Sequence, residues 1–372
     1  MIEERFKELI RRCAQCGTCT ASCPLKDVSD FNIRKLVRRV QLNLFNTREF
    51  LARYPWLCTQ CYRCQVLCTE ELEIPKLVLA LRELALKSGM APSQVYEALE
   101  AIRKFNSPYR SLTRTKTSWL KQPFQLSTRV HLLYWVGCTP SIKARGIAEA
   151  TLKALKGLNL EFKLLNDEPC CGEPLIRLGL IDEARLVALK TVKAVEEAGV
   201  EAIVTPCSGC YNAFIKLYPE TLGVEFPSVK VMHVSQLLEQ NLKGAGLRLN
   251  EPLTLTYHDP CSLGRHSGVY DAPRKALNSI DGVKLVEINP TRDYATCCGG
   301  GGGLWPLNYE MAMEIAYKKL VKEVLPLNVE GLATCCPLCY MNFKLTSTKR
   351  KLPLRIYDLT EVVSMAIQST DT

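Results

Sequence analysis

Nineteen cysteines punctuate this 372-residue sequence, and eighteen of them fall into groups whose spacing suits metal chemistry. Cys13, Cys16, Cys19 and Cys23 follow the pattern C-x-x-C-x-x-C-x-x-x-C and end on Pro24. Cys58, Cys61, Cys64 and Cys68 repeat it, with Thr69 in place of the proline. A tight loop of this kind presents three thiolates to one [4Fe-4S] cubane, while the fourth cysteine reaches the other cluster. The expected ligand sets are therefore Cys13, Cys16, Cys19 with Cys68, and Cys58, Cys61, Cys64 with Cys23. Zinc also takes C-x-x-C ligands, but a four-ligand site has no use for three evenly spaced cysteines plus a distant fourth, twice over. Thr69 alters a turn and removes no ligand.

The remaining cysteines form two constellations, each of a single cysteine, an adjacent pair and a C-x-x-C. The first is Cys138, Cys170, Cys171, Cys207 and Cys210; the second is Cys261, Cys297, Cys298, Cys336 and Cys339. The single cysteine is separated from the pair by 31 and 35 residues, and the pair from the C-x-x-C by 35 and 37. Five thiolates exceed what a simple cubane or a tetrahedral zinc needs. An expanded cluster with a bridging thiolate would use all five. Cys335, beside Cys336, blurs the second set; the spacing to Cys339 favours Cys336.

The elements that must position these cysteines can be read around them. Residues 1–105 carry the ferredoxin-type runs between amphipathic segments at 33–42, 75–86 and 93–105, which predicts a mostly helical module with Pro75 in a first helical turn. Residues 130–250 and 251–372 read as a diverged internal repeat. Each half opens with an apolar strand that runs into a cysteine, at 130–138 and 253–261. Each has a second strand before the Cys-Cys-Gly, at 161–165 and 283–288. A third strand enters the C-x-x-C, at 202–207 and 331–334. Strands alternating with helical stretches predict an α/β fold with a parallel sheet in each half. In such sheets ligands sit beyond the carboxyl ends of strands, where these cysteines fall.

Composition bounds the rest. Two or three domains fit the length, and 47% apolar residues suffice for real cores. No secretory signal or stretch of membrane-spanning length is visible, so an intracellular metal protein is expected in place of a secreted disulfide framework. The expected location is the cytoplasm, peripheral to a membrane only through a partner. Net charge is +10, with seven Lys/Arg and no acid across residues 101–129. We read residues 106–129 as an exposed basic linker or docking strip for a protein or an anionic surface, not for nucleic acid. Residues 299–303 are five consecutive glycines. No Gly-Lys-Ser/Thr follows, so close backbone approach is the better reading: amides aimed at cluster sulfides, with room for a substrate. Of the four histidines, His131 and His233 suit packing or surface roles. His258, three residues before Cys261, is placed to hydrogen-bond a ligand. His266 with Arg265 would face an anionic substrate or supply a proton.

At the paired cysteines the sequence resembles the CCG (cysteine-rich) domain family. Over its whole length it resembles heterodisulfide reductase D-type subunits, in which C- and B-type parts are fused. Residues 257–265 (Tyr-His-Asp-Pro-Cys-Ser-Leu-Gly-Arg) and 268–274 (Gly-Val-Tyr-Asp-Ala-Pro-Arg) carry that likeness most closely. Ser262 departs from it, since relatives often have histidine there. The resemblance implies two noncubane [4Fe-4S] clusters beside the two cubanes. It also implies that Cys261, Cys297, Cys298, Cys336 and Cys339, with Arg265 and His266, reduce a small-molecule disulfide using electrons relayed by the cubanes. A second reading is pure relay, since iron–sulfur subunits of glycolate, lactate and glycerol-3-phosphate dehydrogenases are similar. A zinc-stapled scaffold is a third and weaker one. No flavin or nicotinamide fingerprint is present, so electrons must come from a partner: a membrane cytochrome b, a flavoprotein dehydrogenase or an electron-transfer flavoprotein.

Overall fold

The computed structural model describes residues 4–110, 116–120 and 130–370. The first module is helical because its apolar residues recur on one face. In Ile33–Gln41, Ile33, Leu36, Val37 and Val40 are buried, while Arg34, Lys35, Arg38 and Arg39 face solvent. Asn32 caps the start of this helix, accepting from Lys35 N at 2.9 Å. Ile74–Lys87 starts with Pro75 in its first turn, where no intrahelical donor is lost. Ser93–Phe105 ends on Asn106 in the left-handed conformation. All three helices match the periodicity of the sequence.

Two parallel sheets follow. The first has the order β1 (Leu132–Tyr134), β2 (Ala202–Thr205), β3 (Lys230–His233). The second uses β4 (Arg248–His258), β5 (Asp281–Val286), β6 (Gly331–Thr334) and β7 (Arg355–Asp358) in the order β5-β4-β6-β7. β1, β2, β4 and β6 each end a few residues or fewer before a cysteine, so the α/β expectation holds.

Three details differ from the sequence reading. Residues 161–165 give one bridge, Leu133↔Lys163, because β1 is three residues long and its far side pairs with β2. β3 and β7 are additional strands. The boundary expected at 250/251 falls inside β4.

The two halves also share a core. Tyr134, Val136 and Leu155 of the first pack in one buried cluster with Leu255, Tyr257, Val362 and Val363 of the second. Helix Leu359–Thr370 lies against helix Arg145–Gly157. Gly157 permits this crossing, since a Cβ there would stand 2.8 Å from Ile367.

Part of the basic strip lies outside the described residues. Within them, the expectation of an exposed linker fails at Lys116 and Trp119, which are buried. Trp119 packs edge-on to Tyr134 at 6.5 Å, and Lys116 is drawn inward by Glu168 at 3.2 Å. No described helix is long and apolar enough to cross a membrane.

Candidate metal centre

Each ferredoxin-type loop is built around one backbone device. Gln15 and Gly17 flank Cys16 with positive φ, and Gln60 and Tyr62 flank Cys61 in the same way. Left-handed residues on both sides of the second cysteine curl the loop so that its sulfurs converge. Gln15 Nε2 reaches Cys13 Sγ at 3.3 Å, and Gln60 N reaches Cys58 Sγ at 3.4 Å. Cys13, Cys16, Cys19 and Cys68 line one small pocket, together with Arg34. Cys23 and Cys64 sit with Cys58 and Cys61; burial, then the neighbouring thiolates, push the thiols of Cys23 and Cys64 well above the usual range. The chain thus brings together the crossed sets that the spacing suggested. Four thiolates around each of two small sites suit [4Fe-4S] clusters.

The two five-cysteine sets converge on a single cavity of about 90 Å³. Its wall includes Cys138, Cys170, Cys171, Cys207 and Cys210 from the first half, and Cys261, Cys298, Cys336 and Cys339 from the second. Cys297 is not part of this wall; it hydrogen-bonds Cys61, which is the main reason the Cys61 thiol is drawn down to about 5. The inner ferredoxin set therefore touches the second-half set directly. Cys335 turns away from the cavity into the shared core, near Tyr257, whereas Cys336 packs with Cys298 and Cys339.

The glycine run serves as a seam. Gly299 N and Gly300 N point at Cys297 Sγ and Cys298 Sγ, each at 3.3 Å. Gly302 lies so close to the ferredoxin loop that a Cβ would stand 2.3 Å from the Thr59 carbonyl carbon. The amides aim at cysteine sulfurs, and the freed space is shared: Gly301 and Gly302 face Thr59 of the first module, Gly299 and Gly300 pack on Ile315 and Leu338 of the second half, and Gly303 meets Leu178 of the first half.

Arg82 locks this seam and was invisible in the sequence. Fully buried, it donates to the carbonyls of Pro55 (2.9 Å), Cys58 (2.7 Å), Gly302 (2.7 Å) and Arg177. Burial lowers its pKa to about 10, so it stays charged. In the first half, Glu168 accepts from Val136 N (2.7 Å) and Gly137 N (2.9 Å) and pairs with Lys116. Burial disfavours the Lys116 charge, but Cys138 and Glu168 more than offset this, and its pKa is raised. In the second half, Arg274 grips Asp259 with two bonds of 2.8 Å. That ion pair folds residues 257–274 back on themselves.

Arg265 spans the seam. Its guanidinium donates to three backbone carbonyls, those of Cys61 (2.6 Å), Ala295 (2.6 Å) and Asp293 (2.9 Å). It bolts the inner ferredoxin loop to the second half and, with His266, also lines an outer cleft. His266 does line the cavity. Arg177 Nη2 lies 3.1 Å from His266 Nδ1; arginine only donates, so Nδ1 accepts and the neutral ring carries its proton on Nε2. Burial, then the Arg177 and Arg265 charges, hold the His266 pKa well below the usual range. Tyr62 packs on His266 with centroids 4.3 Å apart. Arg177 and His266 also line an outer cleft of about 580 Å³ with Lys76, Lys87 and Lys216. His131 is exposed beside Glu201, and His233 is buried as a helix cap.

Comparison with known proteins agrees with this anatomy. Residues 132–215 and 255–344 match the CCG cysteine-rich domain, and residues 9–72 match the 4Fe-4S dicluster domain. The chain is 31% identical over 83% of its length to the D-type subunit of dihydromethanophenazine:CoB–CoM heterodisulfide reductase from Methanosarcina barkeri, covering 77% of that protein. It is 28% identical over 96% of its length to the B-type subunit of fumarate reductase (CoM/CoB) from Methanothermobacter marburgensis, covering 72% of it. Among solved structures, a hypothetical protein from Helicobacter pylori superposes with a TM-score of 0.64 at 10% identity. That match covers 98% of this chain and 73% of the other, a likeness of fold alone.

Proposed function

The chain belongs to the family of heterodisulfide reductase D-type subunits, which are iron–sulfur oxidoreductase components, and from that premise we propose that it reduces a disulfide in the cavity between its two cysteine-rich halves. One observation carries the reading: both cysteine sets, all ten residues but Cys297, line the same cavity, which a simple relay would not need. Clusters held by these cysteines, two cubane and two noncubane, would supply one-electron transfers. Cleavage of one disulfide takes two electrons and two protons and yields two thiols.

The residues suggest a route. Cys16 is exposed beside the basic face of helix Ile33–Gln41, which makes the Cys13 set the entry port for an electron-donor protein. That donor is a flavoprotein dehydrogenase, an electron-transfer flavoprotein or a membrane cytochrome b, the last of which would hold the chain at the cytoplasmic membrane face. The Cys61–Cys297 contact hands electrons to the second half. Substrate enters through the outer cleft, where Lys76, Lys87, Lys216, Arg177 and Arg265 outnumber Glu73, Glu83 and Glu220 and so favour an anionic thiol or disulfide. His266, with Nε2 lacking a hydrogen-bond partner, offers a donor to a departing thiolate, while Arg177 and Tyr62 hold the ring.

The test is anaerobic oxidation of a reduced viologen dye by the CoM–CoB disulfide and by a panel of other small disulfides. Turnover that vanishes in Cys298→Ser supports the proposal. No turnover with any disulfide, together with rapid reduction by a flavoprotein and reoxidation by a quinone, would leave only the relay.

A further inference from the structure

The two cysteine-rich halves diverge around their sulfurs. Three residues before the single cysteine, the first half has Trp135 and the second has His258, both buried. Around Trp135 the first half places an ion pair, with Lys116 Nζ 5.8 Å from the ring and bonded to Glu168. Two residues before the adjacent pair, where the first half has Glu168, the second has Ala295. No carboxylate occupies that position to take a proton from His258.

Neither ring nitrogen of His258 has a hydrogen-bond partner. Yet a ring nitrogen, Cys298 Sγ and Cys339 Sγ all lie within 4.8 Å of one another. Phe343 packs edge-on against the ring, with centroids 4.9 Å apart at 89°. A buried neutral imidazole carries one donor that demands an acceptor. The acceptors beside it are sulfurs.

We propose that His258 belongs to the second-half metal site, donating its N–H to the Cys298 thiolate and thereby making the group held there easier to reduce. A hydrogen bond to a ligating sulfur withdraws electron density and raises the reduction potential. The five cysteines already complete the ligand set, so the imidazole acts on a ligand and does not replace one. The bond falls on the half that touches the inner ferredoxin set through Cys61 and Cys297, where an electron acceptor is needed. This rests on the cysteines holding a cluster, and it holds whatever substrate the cavity takes.

The experiment uses full-length protein purified anaerobically with ¹⁵N-labelled histidine. Electron spin-echo spectra of the reduced protein should show a weakly coupled nitrogen, absent in His258→Phe. In a potentiometric titration His258→Phe should move one midpoint to lower potential and leave the others in place. His258→Gln, which keeps an N–H, should restore part of the shift. Should His258→Phe fail to load iron, the wild-type nitrogen coupling and the His258→Gln titration decide the matter. Unchanged midpoints with full iron would overturn the proposal, as would the strong coupling of a directly bonded nitrogen. A protein with no iron at the paired cysteines would fail the premise, and would show it by metal analysis before any titration.

Discussion

Gly302→Ala tests the seam between the ferredoxin module and the second half. Gly302 has φ +63°, and an added Cβ would meet the Thr59 carbonyl carbon at 2.3 Å, its oxygen at 2.4 Å and its Cα at 2.8 Å. All three are backbone atoms in a loop pinned on either side by Cys58 and Cys61, so the neighbour cannot swing away. The left-handed conformation costs an alanine about 1–2 kcal/mol, and overpacking adds about 1–3 kcal/mol. Together these predict about 2–5 kcal/mol of destabilisation. Gly301→Ala is the matched control. Its nearest contact would be Thr59 O at 3.5 Å, so it should stay within about 0.5 kcal/mol of the parent. The assay is anaerobic urea unfolding of the iron-loaded protein, followed by tryptophan fluorescence and by loss of visible absorption. Gly302→Ala should lower both midpoints and separate them, because the loop that moves carries cluster ligands. Equal midpoints for the two variants would show that the close approach does not exist.

Three further outcomes are expected. Cys336→Ser should lose the second-half cluster and Cys335→Ser should keep it, since only Cys336 of the two reaches the cavity; visible and paramagnetic spectra of each variant decide. Anaerobic preparations should hold roughly sixteen irons, four for each of four clusters; about eight with stoichiometric zinc would show that the paired cysteines bind something else. Asp358 gives a pH test. Burial lifts its pKa to about 7; its Oδ1 is bonded by Thr360 N and Oγ1 at 2.9 and 2.7 Å, and its Oδ2 has no partner. The folded chain therefore binds this proton more tightly than the unfolded chain. The resulting stability is fully present below about pH 4 and is lost as pH rises through about 7. The rise from the ordinary carboxylate value corresponds to at most about 4 kcal/mol. Asp358→Asn should remove that share of the pH dependence, raising the melting temperature relative to the parent at pH 8 but not at pH 5. Parallel pH profiles for the two proteins would refute it.

Much of this architecture can be read from sequence because the cysteines mark strand ends and the helices keep strict periodicity. The spacing of the ferredoxin runs anticipates the crossed ligand sets, and the left-handed residues around Cys16 and Cys61 show how the loops achieve them. β3 and β7 escaped because each is four residues long and partly exposed, with no cysteine at its end. Residues 161–165 have the alternation of a strand, with Phe162 and Leu164 buried, but too short a neighbour to pair along. Arg82 and Arg177 were illegible for a different reason. Each sits in an amphipathic stretch where a single arginine reads as a solvated charge, and only contacts 95 and 220 residues away turn Arg82 into a clamp. Lys116 read as part of a charge run until Glu168 claimed it. Arg265 has a second role that its sequence position does not show: besides lining the outer cleft, it donates to backbone carbonyls across the seam.

The central claim is that the cavity lined by both five-cysteine sets takes a sulfur substrate. It is tested most directly by electron paramagnetic resonance of the oxidised protein mixed with CoM or CoB thiol. A new signal is predicted, absent from Cys297→Ser and Cys298→Ser, with the reduced cubane signals of residues 1–105 unchanged in both variants. A spectrum that stays the same with every thiol tried would contradict the account.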